Sequence, residues 1–375
     1  MGEVAARTLA GDDAIGSIVA TDINADRVRD LAAELGRKVS GQALDITDAG
    51  ALRSALDGVD VVLNTVGPFV TFGPIVLEAA IATGTHYLDI NDDYEPTAQM
   101  VALDEQASRA GVIAIVGMGA SPGISNLLAL VAAGELDTVQ SLYTGWRAGT
   151  GMPKVVPGAP PLEANAAMNH WIQNLSGQIP AWSDGRPTTA RPLQERVLTY
   201  PGVGQGTVWT CGHPEPVTLP RSIPVLGDCF NVMISRPGLI EALKTATEAV
   251  EKGDITIREA GAQVLMAPGR RGPAAGEPAR FPNVFALAEG LADGANMRVG
   301  VSTNLIPEGS MGESTSVPLV IAAGMIARGE ITRTGVSAPE QVVDPEVFFE
   351  RLAPFAGDRR ADAPLVIVRE AYQPA

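Results

Sequence analysis

The sequence predicts an α/β fold: a doubly wound parallel sheet followed by a second, mixed α/β region. Three short runs rich in β-branched residues each end in a loop of Gly, Pro, Asn or Asp, and helical patterns lie between them. The runs are Val61–Val66, His86–Ile90 and Val112–Val116, and the helices are Pro74–Thr83 and Pro96–Ala110. Strands that alternate with helices form βαβ units. Ligands of such sheets bind beyond the carboxyl ends of the strands, which here are Asn64–Phe69, Asn91–Glu95 and Gly117–Asn126.

Composition argues against several classes of protein. The chain has 375 residues, of which 46% are hydrophobic, so it can bury a large core and we expect two domains. A net charge of −16 disfavours a nucleic-acid partner, which needs excess Lys and Arg. We expect no metal site, because Cys211 and Cys229 lack metal-ligand spacing, and a reducing compartment, because two cysteines do not make a disulfide framework. No signal segment or membrane-length apolar run is evident, so we expect a cytoplasmic protein without a membrane partner.

Gly2 and Asp22 carry part of a dinucleotide-binding fingerprint. Gly2–Leu9 is an amphipathic helical pattern, and the predicted strand Ile15–Asp22 ends in an acid twenty positions after Gly2. In the complete fingerprint a Gly-rich turn opens the first helix, and an acidic residue about 20 positions later binds the ribose hydroxyls. Gly2 is then the last glycine of the fingerprint. We therefore predict a Rossmann-like sheet that lacks its first strand.

Asp22 also bears on the choice of cofactor. A carboxylate accepts both ribose hydroxyls of NAD and repels the additional phosphate of NADP, so we expect NAD, with NADP less favoured. A predicted helix, Asp26–Leu35, and a predicted strand, Val39–Leu44, lead to Asp45. Two roles are open for Asp45: a contact to the adenine, or the cap of a helix that starts near Ala49.

The turns after the next strands hold further candidates. Val66, Gly67 and Pro68 let a ligand approach the backbone, and we place them beside the nicotinamide ribose. Asp93 lies in an acidic loop, where it either binds a substrate amine or caps the following helix.

The sharpest motif is the turn GMGASPGISN, which leads into an apolar helix at Leu127–Ala133. The N-terminus of a helix offers unpaired N–H groups to a carboxylate or a phosphate. We assign Gly119 to the cofactor and Ser121 and Asn126 to the substrate, and a capping role is the alternative for Ser121.

Two segments resemble the saccharopine dehydrogenase (saccharopine reductase) family, including its lysine 6-dehydrogenase-like members. The segments read VGPFVTFGPIVLEAAIATGTHYLDI and LDEQASRAGVIAIVGMGASPGISNLLA. The resemblance is close over residues 2–130 and looser at Thr210–Arg221 and Pro307–Pro339.

The resemblance implies a domain organisation and an activity. A Rossmann domain would comprise residues 1–130 and 307–375, and an inserted mixed α/β domain at 131–306 would carry substrate and dimer contacts. Members of the family transfer hydride between NAD(P) and a carbon–nitrogen centre of an amino acid or polyamine derivative. A small-molecule substrate and a homodimer are therefore expected.

The chain departs from the family in two places. Saccharopine reductases proper resemble D-P-G-I-D-H where this chain has Ser121–Asn126, and C-G-G where it has Thr144-Gly145-Trp146. The acid, the His and the Cys are missing, so saccharopine is disfavoured as the substrate and the catalytic residues of the family cannot be transferred. The absent first strand leaves two interpretations: the true start lies upstream, or this form binds its cofactor poorly.

The region beyond Asp137 supplies the remaining candidates. Trp146 and Lys154 belong to a long Gly/Pro loop typical of functional lids. Trp146 either stacks on a cation or fills the interdomain seam. His213 suits proton transfer near neutral pH, and its alternative is an exposed turn residue without a function. Arg221 can hold a substrate carboxylate with two hydrogen bonds.

The other elements follow from periodicity and turn residues. An Asp-Gly turn inside Phe285–Val301 predicts a hairpin. Met311–Gly329 predicts a helix, capped near Ser314 or Thr315, that returns to the first domain. The remaining predicted strands are Val139–Tyr143, Pro192–Tyr200, Gly206–Cys211 and Asp228–Ile234, and the remaining helices are Asn165–Leu175, Leu239–Lys252, Asp254–Gln263 and Val347–Ala353.

Three hypotheses about function follow. The first is an NAD-dependent oxidoreductase acting on a C–N bond, with His213 as the first candidate for the base and Lys154 as the second. The second is a non-catalytic Rossmann scaffold or ligand-sensing dimer with weakened cofactor binding. The third is hydride transfer to a carbon–oxygen centre, since fold alone does not fix function.

Overall fold

A computed structural model describes residues 1–149, 166–267, 281–307, 309, 311–359 and 364–373. The chain divides into two compact units. Unit 1 comprises Met1–Leu127 and Asn304–Pro364, and unit 2 comprises Leu128–Thr303 and Leu365–Ala375. None of the helices in these described ranges is both long enough and apolar enough to span a membrane.

The secondary structure follows the βαβ pattern that the sequence predicts in the first third of the chain. The strands are β1 (Ile18–Asp22), β2 (Val39–Ala43), β3 (Val61–Asn64), β4 (His86–Asp89), β5 (Ile113–Ile115), β6 (Thr138–Arg147), β7 (Ile179–Ser183), β8 (Arg186–Ala190), β9 (Glu195–Tyr200), β10 (Gly204–Thr210), β11 (Cys229–Ile234), β12 (Val284–Ala292), β13 (Ala295–Thr303), β14 (Gly335–Ser337) and β15 (Leu365–Ala371). The α-helices are α1 (Gly2–Ala10), α2 (Ala25–Leu35), α3 (Ala49–Leu56), α4 (Phe69–Thr83), α5 (Tyr94–Val101), α6 (Asp104–Arg109), α7 (Ile124–Gly134), α8 (Ala166–Asn174), α9 (Glu215–Thr218), α10 (Pro237–Glu251), α11 (Ile257–Met266), α12 (Met311–Ala327) and α13 (Pro345–Leu352).

Unit 1 contains two parallel sheets. The larger has the strand order β14-β5-β4-β3, and the smaller consists of β1 and β2. In the larger sheet Asn64 pairs with Asp89, and Ile115 pairs with Ser337, so these strands end at one edge. Tyr87 and Leu88 of β4 are fully buried because helices cover the sheet. The predicted α/β class is thus confirmed.

The two sheets of unit 1 are not joined by hydrogen bonds between β1 and β3. Ile18 of β1 and Leu63 of β3 pack against one apolar cluster, formed by Ala5, Leu9 and Val320. Each of these two strands nevertheless pairs on one side alone within the described part of the chain. Interior strands of a parallel sheet are normally buried on both faces, whereas β1 is at least partly exposed along its whole length. This geometry agrees with the prediction that the first strand of the sheet is absent.

Helix boundaries in unit 1 correct three predictions. Helix α4 begins at Phe69 rather than at Pro74, so the proline lies inside the helix. The single predicted helix Pro96–Ala110 is two helices, α5 and α6. Helix α12 begins at Met311, so Ser314 and Thr315 lie within its first turns and do not cap it.

Unit 2 is built on a mixed sheet of nine strands. Its main path is β15-β13-β12-β6-β11-β10-β9, and β7 joins β11 to β8. Val208 and Val232 belong to an apolar cluster with Tyr and Phe rings, whereas Trp209 and Met233 belong to a cluster with α8, α10 and α11. Because neighbouring residues of a strand point to opposite faces, both faces of the sheet are covered.

Strand pairing in unit 2 differs from the prediction at two points. Strand β15 pairs antiparallel with β13. The pairing runs from Met297 opposite Ala371 to Thr303 opposite Leu365, so the end of the chain joins unit 2 rather than the Rossmann domain. Strands β7 and β8 form an unpredicted hairpin. Its Asp184-Gly185 turn, with φ angles of 53° and 69°, is a sequence signal typical of a hairpin, although none was predicted there. The predicted hairpin at β12 and β13 is confirmed.

Candidate functional site

The carboxyl ends of β3, β4 and β5 are joined by a buried polar network around Asp89. The Asp89 carboxylate accepts hydrogen bonds from the Tyr87 hydroxyl (2.7 Å), the Asn91 N–H (3.1 Å) and the Gly117 N–H (2.7 Å). The Tyr87 oxygen in turn accepts a bond from Asn64 Nδ2 at 3.2 Å. The sequence signal for this network is an acid and a tyrosine on an otherwise apolar strand, and neither residue was among the predicted site residues.

The electrostatics of this network follow from its burial. Asp89 is fully buried, and desolvation raises the pKa of its carboxyl to about 6, although the hydrogen bonds from Gly117, Tyr87 and Asn91 oppose the shift. Burial and the neighbouring Asp89 charge also raise the pKa of Tyr87 well above its usual value. Asp89 is therefore ionised at neutral pH, and Tyr87 is a neutral donor.

The turn that follows β5 is closed by backbone hydrogen bonds of Gly119. The Gly119 N–H donates to the Pro122 carbonyl at 2.9 Å, and the Ile124 N–H donates to the Gly119 carbonyl at 3.0 Å. Gly123 has a φ of 119°, and a Cβ there would lie 2.0 Å from the Gly119 oxygen. Only glycine fits such a position. Gly119 itself is buried against Pro122 and Thr315, so its proposed cofactor contact requires access past these neighbours.

The side chain of Asn126 forms hydrogen bonds that hold this turn. Its side-chain oxygen accepts bonds from the Gly123 N–H (3.0 Å) and the Ser125 hydroxyl (3.3 Å), and its Nδ2 donates to Glu340 at 2.8 Å. The side chain is fully buried. This geometry favours a structural role for Asn126 over the predicted substrate contact, and Glu340 is a partner that no local pattern in the sequence indicates. Ser121, by contrast, is half-buried at the outer part of the turn.

The turn of Val66, Gly67 and Pro68, which follows β3, is exposed. The Val66 N–H donates to Asn64 Oδ1 at 3.0 Å, which fixes the start of this turn. Asp93, in contrast, is buried and stands at the N-cap position of α5. The Asp93 side chain makes no capping hydrogen bond to α5, so the substrate contact and the cap both stay predictions.

The elements for a nucleotide's adenosine half lie at the ends of β1 and β2. Asp22 is half-buried at the end of β1, and its Oδ1 accepts a bond from the Asn24 N–H at 2.9 Å. Asp45 is exposed and bonds to the N–H and hydroxyl of Thr47, which lower the pKa of its carboxyl. The helix cap proposed for Asp45 is wrong, because Asp48 accepts the bonds from the first N–H groups of α3.

Gly2 begins α1 close to β3. A Cβ at Gly2 would lie 2.8 Å from the Thr65 hydroxyl, so the glycine allows the start of the helix to approach the end of that strand. The first N–H groups of α1 have no side-chain cap in the described chain. Gly2 therefore has the close helix–strand approach that the last glycine of the fingerprint provides.

In unit 2, His213 lies in a second buried network. Its Nδ1 is 3.6 Å from Glu215 Oε2, and its ring lies 5.4 Å from that of Trp146 at an angle of 31°. Asn231 Nδ2 donates to Glu215 Oε1 at 2.9 Å, and Trp146 Nε1 donates to Asn231 Oδ1 at 3.0 Å. With only 6% of its surface exposed, His213 is not the exposed turn residue of the alternative prediction.

The protonation state of His213 opposes the predicted role as a base. Burial lowers the pKa of the imidazole, but interactions with Cys211 and Glu215 outweigh it and leave the pKa well above the usual value. A raised pKa favours the protonated ring, which disfavours the predicted role of His213 as a base. Trp146 packs against this ring and also lies 6.2 Å from the ring of Trp171.

The remaining predicted residues are not brought into either network. Arg221 is exposed at the end of a short 3₁₀ turn, Leu219–Arg221. Lys154 lies outside the residues that the structure describes. Among the described His, Cys, Asp and Glu residues, no group of three or more is arranged to hold a metal ion.

Parallel strands, a glycine-started first helix and an acid at the end of the following strand are features of dinucleotide-binding domains. Residues 1–115 match the family model described as "Saccharopine dehydrogenase NADP binding domain". This part of the chain is therefore similar to the NADP-binding domain of saccharopine dehydrogenases.

Solved structures agree with this fold. Apo histidine-tagged saccharopine dehydrogenase (L-Glu forming) from Saccharomyces cerevisiae is similar over 99% of this chain and 98% of that chain, with a TM-score of 0.63 and 18% identity. A mutant of meso-dapdh with DAP from Clostridium tetani E88 covers 90% of this chain and 96% of its own, with a TM-score of 0.38 and 14% identity. The first similarity supports the fold alone, and the second is too distant to support a conclusion.

Proposed function

We propose that the chain is an NAD(P)-dependent oxidoreductase that transfers hydride at a carbon–nitrogen centre of an amino acid or amine derivative. The observations that carry the proposal are Asp22 at the end of β1 and the first turn of α1, which has no side-chain cap, in a region that matches the NADP-binding domain of saccharopine dehydrogenases. The C–N centre is supported by the family resemblance, and the lysine 6-dehydrogenase-like branch is the one that the departures from saccharopine reductase favour.

Each part of the nucleotide has candidate residues in unit 1. Asp22 would accept the ribose hydroxyls, Asp45 would approach the adenine, and the start of α1 at Gly2 would face the pyrophosphate. The turn of Val66, Gly67 and Pro68 would contact the nicotinamide ribose. The bound nicotinamide supplies the hydride acceptor or donor. Asp22 favours NAD over NADP because a carboxylate repels the additional phosphate.

For the substrate, the charge of His213 suggests a change from the role that the sequence predicts. We propose that its imidazolium, held by Glu215, supplies a proton or a positive charge for a substrate carboxylate. Arg221 and Ser121 stay proposed substrate contacts, and Lys154 stays the second candidate for proton transfer. We also propose a homodimer, on the resemblance alone.

A substrate screen tests the activity. Basic amino acids, polyamines and matched hydroxy acids would be incubated with NAD or NADP while the absorbance of the reduced nicotinamide is followed. We expect turnover of an amine-bearing compound with NAD. Turnover of hydroxy acids alone would establish a carbon–oxygen centre, and nucleotide binding without turnover of any compound would favour the ligand-sensing scaffold.

A further inference from the structure

We propose that Asp89 is the positioning residue of the candidate cofactor site. The Asp89 carboxylate fixes the turns that follow β3, β4 and β5. This inference rests on the proposed function, because it assigns these turns to nucleotide binding. It adds a residue that neither the fingerprint nor the family match identifies.

Asp89 holds the turn after β5 with two atoms. Its carboxylate accepts the Gly117 N–H at 2.7 Å, and its backbone carbonyl accepts the Met118 N–H at 2.8 Å. Gly117 has a φ of 81°, and a Cβ there would lie 2.6 Å from Pro122 Cγ and 3.1 Å from the Asn91 carbonyl. The turn is therefore seated closely between its neighbours, and the carboxylate fixes its first amide.

The same carboxylate reaches the turn after β3 through two intermediates. The Val66 N–H donates to Asn64 Oδ1, Asn64 Nδ2 donates to the Tyr87 oxygen, and the Tyr87 hydroxyl donates to Asp89. Every donor in this series of hydrogen bonds is oriented toward Asp89. A negatively charged terminal acceptor is what sets that common direction, since charged acceptors form the stronger hydrogen bonds.

Burial makes the charge costly, which distinguishes Asp89 from an ordinary core residue. The groups that face it are the Tyr87 hydroxyl on its own strand and the Asp92 carboxylate in the next turn, which opposes its ionisation. Strand β3 contributes the uncharged Asn64 amide, and the turn after β5 contributes the Gly117 N–H. Burial raises the pKa of Asp89 to about 6, so mild acid removes the charge and weakens the hold on both turns.

Hydrogen exchange of the protein without nucleotide tests the positioning directly. We expect D89V to speed exchange of the Gly117 and Val66 amides at least about tenfold, and D89N to speed it less because an amide oxygen still accepts. Asp104 provides the matched control, because it accepts the Val336 N–H (2.9 Å) in the same sheet, close to where β14 begins. D104N should leave Gly117 and Val66 unchanged. Unchanged exchange in D89V, or equal acceleration throughout unit 1, would overturn the proposal.

Titration with NADH links the positioning to the cofactor. Wild-type affinity should fall several-fold between about pH 7.5 and about pH 5, and the affinity of D89N should vary less over the same range. If D89V does not fold, the comparison of D89N with D104N replaces it in both measurements. Equal pH profiles in the wild type and D89N would contradict the proposal. Absence of NADH binding by the wild type would overturn the proposed function, while the exchange measurement would still decide whether Asp89 fixes the turns.

Discussion

His213 lies in a buried setting from which water is largely excluded, and interactions with Cys211 and then Glu215 raise the pKa of its imidazole against the opposing effect of burial. A folded-state pKa above the unfolded value means that the folded protein binds the proton more tightly. The stabilisation is then fully present below the unfolded pKa of about 6.5, and it is lost as the pH rises toward the folded value.

We predict that H213Q lowers the free energy of unfolding by about 3 kcal/mol at pH 6, because it leaves Glu215 buried without its cation. The difference between wild type and H213Q should shrink as the pH rises. Urea denaturation across the pH range measures it. His86 is the control: burial lowers the pKa of its imidazole, so its contribution changes with pH in the opposite direction. A pH-independent effect of H213Q would contradict a raised pKa.

The roles of individual residues were the hardest features to predict from the sequence. Asp22 and Gly2 were chosen because the fingerprint fixes their spacing, and their roles in nucleotide binding stay predictions. Asp93 and Asn126 were chosen for their place at strand ends, and both of them are buried. Glu340 could not be found, because its contact with Asn126 joins residues 214 positions apart.

At the scale of elements, the glycine turn after β5 gives a direct test of the backbone geometry. We predict that G123A destabilises the protein by about 3 kcal/mol, since the residue has a positive φ and its Cβ would meet the Gly119 backbone. The matched control is G134A, at the end of α7, where a Cβ would meet nothing within 4 Å. Thermal denaturation of both variants measures the difference. Equal melting temperatures would show that the turn is not closed as described.

The open edges of β1 and β3 give a second prediction. Fusion of a segment of five β-branched apolar residues and a Gly-rich turn to Met1 should raise the melting temperature by about 4 °C or more, because the added strand can pair with both edges. A control segment with prolines at alternate positions cannot form that ladder. Equal melting temperatures for the two fusions would show that β1 and β3 do not accept a strand.

Element types were predicted more successfully than element boundaries. The βαβ alternation up to β5 follows from hydrophobic periodicity, which is a local property. Strand β14 has three residues and β15 pairs across the chain with β13, so tertiary contacts rather than local patterns establish them. The Asp184-Gly185 hairpin had a local signal, and a search for turns alone would have found it.

At the scale of the whole molecule, the chain separates a nucleotide-binding unit from a mixed α/β unit. The boundary near residue 130 was predicted from the family resemblance. The assignment of the final strand to unit 2 was not, because the resemblance places the whole C-terminal region in the Rossmann domain. The central claim concerns unit 1, where a nucleotide's ribose is proposed to lie against Asp22.

Calorimetric titration of NADH and NADPH into the wild type, D22N and D26N tests that claim most directly. Asp26 is the matched control, since it is an exposed carboxylate four positions away that pairs with Arg29. We predict that the wild type binds NADH more tightly than NADPH, that D22N weakens NADH binding by about tenfold or more, and that D26N does not. No binding of either nucleotide by the wild type, or equal NADH affinities for D22N and D26N, would contradict the account.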